Sequence, residues 1–289
     1  MNTRAAEWDR NTALSLGVVL AGLLLLYFPY LKTLLVDWET NDNYSHGYFI
    51  PLLSLYMVYS IRDRLKNLPV QPGYWGLVLI LMGLGQLVIA KIGAEFFLQR
   101  TSFIVVLLGV ILFFLGTKYF KALLVPVLYL VFMIPLPAVV WNKIAFPLQL
   151  FSSFLTEKVV SLLGISVFRE GNILHLAETS LEVVDACSGL RSLVTMFALS
   201  AAFAWLQSLP VWKKWLLFFM AAPIAIFANI IRLTGTAILA SRYGGDVAQG
   251  FLHEFSGMVT FFVGLGLLIG LSVLLGSPFR DPSVTIGTR

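Results

Sequence analysis

Apolar residues in this chain neither alternate nor keep to one helical face. They come in long runs separated by short polar loops. A helix crossing bilayer hydrocarbon needs roughly 20 mostly apolar residues, within a range of about 17–25. Runs of that kind cover about 13–36, 48–61, 74–91, 101–117, 120–140, 188–206, 215–241 and 257–276. The pattern predicts an all-α polytopic membrane protein with about eight transmembrane helices. The second run is short and carries Pro51, so it either extends past its apolar stretch or enters at a tilt. The first run is too long for a cleavable signal, and no small-residue cleavage site follows it.

The interval from about 141 to 187 departs from this pattern. Residues 142–163 are amphipathic and suit a helix lying along the interface. Beyond them, Ile165, Val167 and Arg169 lead into Glu170-Gly171-Asn172, the sequence of a tight turn. Ile173-Leu174-His175-Leu176 and Leu181-Glu182-Val183-Val184 then read as short strands. A small extramembrane hairpin is therefore expected just before the sixth span. With no internal repeat, low-complexity stretch or linker, residues 1–289 read as a single integral membrane domain carrying this insertion.

Charge sets the orientation. Arg4 and Arg10, Arg62, Arg64 and Lys66, Lys118 and Lys121, Lys213 and Lys214, and Arg280 and Arg289 fall on one side of an eight-span layout. The alternate loops are richer in acids, among them Asp37, Glu39 and Asp42, Glu95, Glu157, Glu170, Glu182 and Asp185, Asp246 and Glu254. Basic loops stay in the cytoplasm, which places both termini there and the 141–187 insertion outside. The net charge of +5 follows from this layout, so no nucleic-acid partner is needed to account for it. Composition agrees: 58% of residues are hydrophobic and 12% charged, with mean hydropathy +0.87. That excludes a soluble globular enzyme, a disordered chain and, with one cysteine, a disulfide scaffold.

Charged or reactive groups within or beside spans are costly and need a reason. Three lie toward the outer side. Cys187 opens the sixth span in Val184-Asp185-Ala186-Cys187-Ser188-Gly189-Leu190-Arg191. A helix N-terminus favours thiolate, whereas the alternative is a small buried hydrophobe. Arg232 sits late in the seventh span, in Ala228-Asn229-Ile230-Ile231-Arg232. Asn229 and Thr236, at i−3 and i+4, form a polar stripe with it, against the alternative of a snorkelling anchor. His253 precedes the eighth span in His253-Glu254-Phe255-Ser256-Gly257, and taken alone is an exposed loop histidine. Together, a thiol, a base and a cation at one depth are the equipment for acyl transfer. Arg191 lies one turn below Cys187, where it can hold a thiolate or pair with an acid such as Asp185. His46, in Tyr44-Ser45-His46-Gly47, opens the second span and either lines the same cavity or caps its helix. A zinc site from His46, His175 and His253 is arithmetically open, but no metal-ligand motif supports it, and no metal or cofactor is expected.

These blocks resemble the exosortases and related archaeosortases. Tyr44-Ser45-His46-Gly47 with Pro51 is similar to the family's early block. The stretches around Cys187, Arg232 and His253 are similar to its cysteine, arginine and histidine blocks, in the same order. The resemblance implies a membrane-embedded cysteine transpeptidase of the bacterial inner membrane, acting on its periplasmic side. Its substrates would be exported proteins with a PEP-CTERM-type tail: a short Pro-Glu-Pro-type motif, one transmembrane helix and a basic cluster. These would reach the site laterally through lipid and pass to an unidentified acceptor. In Gram-negative bacteria the family is associated with exopolysaccharide production. On this reading Cys187 attacks, Arg232 holds the oxyanion or the thiolate, and His253 moves the proton. Ser188, Gly189, Arg191, Asn229 and His46 would support the site. Two rivals stand beside it. One is a membrane cysteine protease using water as acceptor. The other is a non-catalytic subunit of a polysaccharide export system, which predicts that Cys187 is dispensable.

Overall fold

The computed structural model describes residues 10–177, 179–183, 189–244 and 251–276, the side chains of 10–13 and 251–255 excepted. Packing divides the chain into two compact units, within residues 1–137 and 138–280.

The first unit is helical. It contains α1 (Arg10–Thr40), α2 (Phe49–Ser60), α3 (Arg62–Lys66), α4 (Trp75–Ile92), α5 (Phe96–Phe114) and α6 (Thr117–Tyr129). On α1 the buried residues Leu23, Tyr27, Leu34 and Trp38 recur at helical spacing, with Leu16, Leu20, Tyr30 and Leu31 half-buried beside them, while residues such as Val18, Leu25 and Phe28 face outward as lipid-facing surface should. α4 and α5 form a close-packed hairpin. A Cβ at Gly76 would collide with the backbone of Phe113 and Gly109, and one at Gly83 would come 2.6 Å from Val106. Small residues let transmembrane backbones approach closely, which is the reason for glycine here.

Two spans differ from the sequence expectation. The fourth begins at Phe96, not at about 101, because Arg100 is neutralised inside the protein by Asp37 of α1 at 2.6 Å. Glu95 caps this helix by accepting from the Leu98 N–H at 3.1 Å. The fifth, expected at 120–140, ends as α6 with a 3-10 turn at Leu130–Met133. Pro135 and Pro137 follow; each lacks an N–H and disfavours helix in the residue before it.

The second unit holds α7 (Ala138–Leu162), β1 (Val167–Glu170), β2 (Ile173–Leu176), β3 (Ser180–Glu182), α8 (Leu190–Leu206), α9 (Val211–Tyr243) and α10 (Phe251–Leu274). α7 is the expected amphipathic helix, begun four residues earlier; its buried residues Trp141, Ala145, Gln149, Ser152, Ser153, Thr156 and Val160 lie along one face. The expected hairpin is part of a three-stranded antiparallel sheet in the order β1-β2-β3. Gly171, with φ +61°, makes the turn between β1 and β2. Leu174, Leu176 and Val183 form the sheet's inner face, packed on Val160 of α7 and on Leu233, Ala237 and Ala240 of α9. Further along, Met196, Ala204, Leu217, Ala221, Ile224 and Leu268 join α8, α9 and α10 in one core.

Among the described residues, five helices are long and apolar enough to cross a membrane: those within α1, α4, α5, α9 and α10. Counting Thr117–Met133 with Ala138–Leu162 as one broken span makes six. α2 has 12 residues and α8 has 17. The protein is an all-α, multi-pass membrane protein.

Candidate active site

The anchor of the site is α9. From its start at Val211, Arg232 lies about 31 Å along the axis at 1.5 Å per residue. Its side chain is half-buried, and Nε donates to Ser256 Oγ of α10 at 3.0 Å. This bond joins the arginine block to the histidine block, since Ser256 follows His253 by three residues. A bond from a charged donor is worth about 1.5–3 kcal/mol and fixes the plane of the guanidinium. Ser256 was not singled out from the sequence, although its i+3 spacing from His253 was visible there.

Gly189 connects the cysteine block to the same segment. It is the N-cap of α8 with φ +83° and ψ 0°, and its carbonyl accepts from the Leu193 N–H at 2.8 Å. A Cβ added there would lie 2.9 Å from Cγ of Asn229 and 3.0 Å from its Nδ2. Both the left-handed backbone and the contact require glycine. Asn229 is fully buried, so it is a wall beneath the Gly189 turn and not a solvent-facing member of the polar stripe. Thr236, the third member, donates its hydroxyl to the Arg232 carbonyl at 3.0 Å. Arg191 is half-buried in the first turn of α8, where Thr195 Oγ1 donates to its carbonyl at 2.9 Å.

Beside Arg232 a cavity of about 260 Å³ opens between α9 and α10, lined by Ala228, Ile231, Gly235, Ser256, Val259 and Val263 among others. Thr260 also borders it but donates to the Ser256 carbonyl at 2.7 Å. With both threonine hydroxyls directed to their own helices, the cavity is apolar except where Arg232 and Ser256 face it. An apolar wall around one cation strengthens its pull on developing negative charge.

Cys187 and Ser188 lie outside the described residues, as does the side chain of His253, whose backbone is in the first turn of α10. His46 lies in the first unit, in a 3-10 turn at Asp42–Tyr48. Its Nε2 sits 3.3 Å from the Phe132 carbonyl, so Nε2 carries the proton and donates. Burial lowers its pKa, partly offset by that bond. The neighbouring Tyr44 hydroxyl accepts from the Leu136 N–H at 2.9 Å, and Trp38 Nε1 donates to the Met133 carbonyl at 2.8 Å. His46 thus helps clamp the early block onto residues 132–136. His175, on β2, bonds Ser180 Oγ through Nδ1 at 2.8 Å and approaches Glu170 at 3.4 Å through Nε2. Among the described residues no three His, Cys, Asp or Glu side chains are grouped to hold a metal ion.

A family model described as transmembrane exosortase matches residues 38–270, spanning the early, cysteine, arginine and histidine blocks. No curated protein and no solved structure matches the chain. The chain belongs to the transmembrane exosortase family.

Proposed function

From that membership we propose a cysteine transpeptidase that cuts C-terminal sorting tails from exported proteins at the periplasmic face of the inner membrane. The observation that carries this reading is the Arg232–Ser256 bond, which brings the arginine and histidine blocks to one place. The Gly189–Asn229 contact supports it by setting the cysteine block against the same stretch of α9.

In the proposed reaction, the Cys187 thiolate attacks the scissile carbonyl carbon and an S–C bond forms. Arg232, with backbone N–H groups near Ser188 and Gly189, holds the oxyanion of the tetrahedral intermediate. As the intermediate collapses, the C–N bond breaks and His253 gives its proton to the leaving nitrogen. The tail departs and a thioacyl-enzyme remains. His253 then takes a proton from the acceptor nucleophile, which attacks the thioester and releases the thiolate. A substrate held by its own transmembrane helix is confined to one depth before chemistry begins, and this supplies orientation. Arg191 and His46 are assigned supporting roles, the first near the thiol and the second through the early block. Both termini are cytoplasmic in this scheme.

The test uses a tail-bearing reporter co-expressed with the protein, with wild type compared against Cys187→Ala, Arg232→Ala and His253→Ala at equal membrane amounts. Wild type should shorten the reporter and the three variants should not. The mass of the new C-terminus separates transfer, which leaves an adduct, from hydrolysis, which leaves a free carboxylate. Unaltered processing by Cys187→Ala overturns the scheme and favours a non-catalytic export subunit.

A further inference from the structure

The sheet ends in a strand, unpaired on its outer side among the described residues, that precedes the cysteine block in sequence. β3 is an edge strand: β2 lies on one side of it, and among the described residues nothing pairs with the other. The register pairs Ile173 with Glu182, Leu174 with Leu181 and His175 with Ser180. The flanking bonds, Leu176 N–H to Thr179 carbonyl at 2.8 Å and Val183 N–H to Asn172 carbonyl at 2.9 Å, set the alternation. In an antiparallel ladder every second residue turns its N–H and C=O toward the partner strand. Residues 179, 181 and 183 therefore face β2, and the N–H and C=O groups of Ser180 and Glu182 point out from the edge. Both residues are exposed, and the bond from the Ser180 hydroxyl to His175 involves no backbone group of theirs.

Register cannot slip here. Leu174, Leu181 and Val183 are held on the inner face against Leu233 of α9. A one-residue slip would turn Leu181 and Val183 outward and Glu182 inward. The direction of the outward amides is thus set by the core.

We propose that the Ser180–Glu182 edge docks the substrate by strand addition, receiving the extended segment that carries the cleavage site. This inference rests on the transpeptidase reading above. Its occupant follows from chain continuity: Cys187 is five residues beyond Glu182, at most about 18 Å at full extension. A peptide paired with β3 is held within that length of chain from the thiol. Two outward N–H and two outward C=O groups recognise backbone, so the edge demands an extended conformation and tolerates varied side chains. The outer-face row formed by Phe168, His175 and Ser180 across the three strands gives an incoming strand a side-chain neighbour at Ser180.

Glu182→Pro tests it. Proline removes the outward N–H and places its ring on the edge, yet leaves the β2 ladder whole because that N–H is not part of it. Glu182→Ala keeps the amide and isolates the side chain's share. Cleavage of the tail reporter should fall about tenfold further in the proline variant than in the alanine one, from the loss of one backbone bond together with steric exclusion by the ring. Maleimide labelling of Cys187 at the wild-type rate checks that the proline variant is folded. Independently, a benzoylphenylalanine photo-crosslinker at position 182 in the Cys187→Ala background should capture the uncut reporter. The same group at position 170, on β1, should not. Equal cleavage by the proline and alanine variants, or equal capture at 182 and 170, overturns the docking edge. If wild type cuts and Cys187→Ala does not, such a result leaves the transpeptidase reading standing; if wild type cuts nothing, that reading has failed first.

Discussion

Gly189→Ala should destabilise the second unit through two separable effects. With φ at +83° an alanine occupies left-handed backbone, costing about 1–2 kcal/mol. Its Cβ would also stand 2.9 Å from Asn229 Cγ and 3.0 Å from Asn229 Cβ and Nδ2. Asn229 is itself fully buried and has no open side to retreat to, and overpacking of that kind costs about 1–3 kcal/mol. The sum is about 2–5 kcal/mol. At about 2–4 °C per kcal/mol for a domain of this size, melting in detergent should drop by roughly 4–20 °C. A double-mutant cycle with Asn229→Ala divides the sum. Removing Cγ and Nδ2 relieves most of the clash and none of the backbone strain, so the pair should be coupled by about 1 kcal/mol or more. The assay is thermal loss of helical circular dichroism in purified protein. Maleimide reactivity of Cys187, the chain's one cysteine, serves as a local probe without background. A Gly189→Ala protein melting within about 1 °C of wild type would refute the argument. So would a coupling below the roughly 0.3–0.5 kcal/mol typical of independent sites.

Ser256→Ala removes the oxygen that accepts from Arg232 Nε and should lower the maximal cleavage rate by roughly 10-fold to 150-fold, from about 1.5–3 kcal/mol of charged hydrogen bond; Ser256→Thr, which keeps the oxygen, should recover most of it, and equal loss in both would assign the residue to packing. Burial lowers the His46 pKa below its ordinary 6.5, so as pH falls the unfolded chain takes up this proton first. The contribution of His46 to stability is therefore complete above about pH 6.5 and lost as pH falls through the folded value, and His46→Gln should flatten that slope in a pH series of melting curves. Asp37→Ala leaves Arg100 buried without its 2.6 Å partner and should lower melting more than the Asp37→Leu/Arg100→Met pair does; the reverse order would show that the ion pair is not what holds α1 to α5.

The long spans were legible because periodicity is irrelevant to a helix bathed in lipid: length and apolarity suffice. The third run, expected at 74–91, is α4 at Trp75–Ile92. The turn at Glu170-Gly171-Asn172 was legible from turn chemistry. What escaped was whatever depended on a partner distant in sequence. Arg100 reads as the end of a span until Asp37, far upstream, neutralises it. β1 is not legible as a strand because Val167-Phe168-Arg169-Glu170 sets two apolar residues before two charged ones, and its alternation in burial emerges only on pairing with β2. Within the candidate site, Arg232 was conspicuous as a cation in an apolar run, but Ser256 was not, since a serine gains meaning only from the α9 guanidinium beside it. Asn229 was read as one of a stripe, and only packing distinguishes a wall under Gly189 from a solvent-facing amide.

The polar side of α7 constrains how the protein is made. Ser152 and Thr156 are fully buried and their hydroxyls meet no hydrogen-bond partner among the described residues, while Val160 on the same face packs against Ala237 and Ala240 of α9. That face is poor material for hydrocarbon, and the β-sheet that packs on Val160 covers only part of it until α9 has left the ribosome. α9 ends 81 residues after Leu162, the difference between positions 243 and 162. At about 5–20 residues per second, α7 waits roughly 4–16 s for its neighbour. For that interval the buried hydroxyls of α7 are incompletely covered, and nascent chains arrested between Leu206 and Val211 should be early targets of membrane quality control.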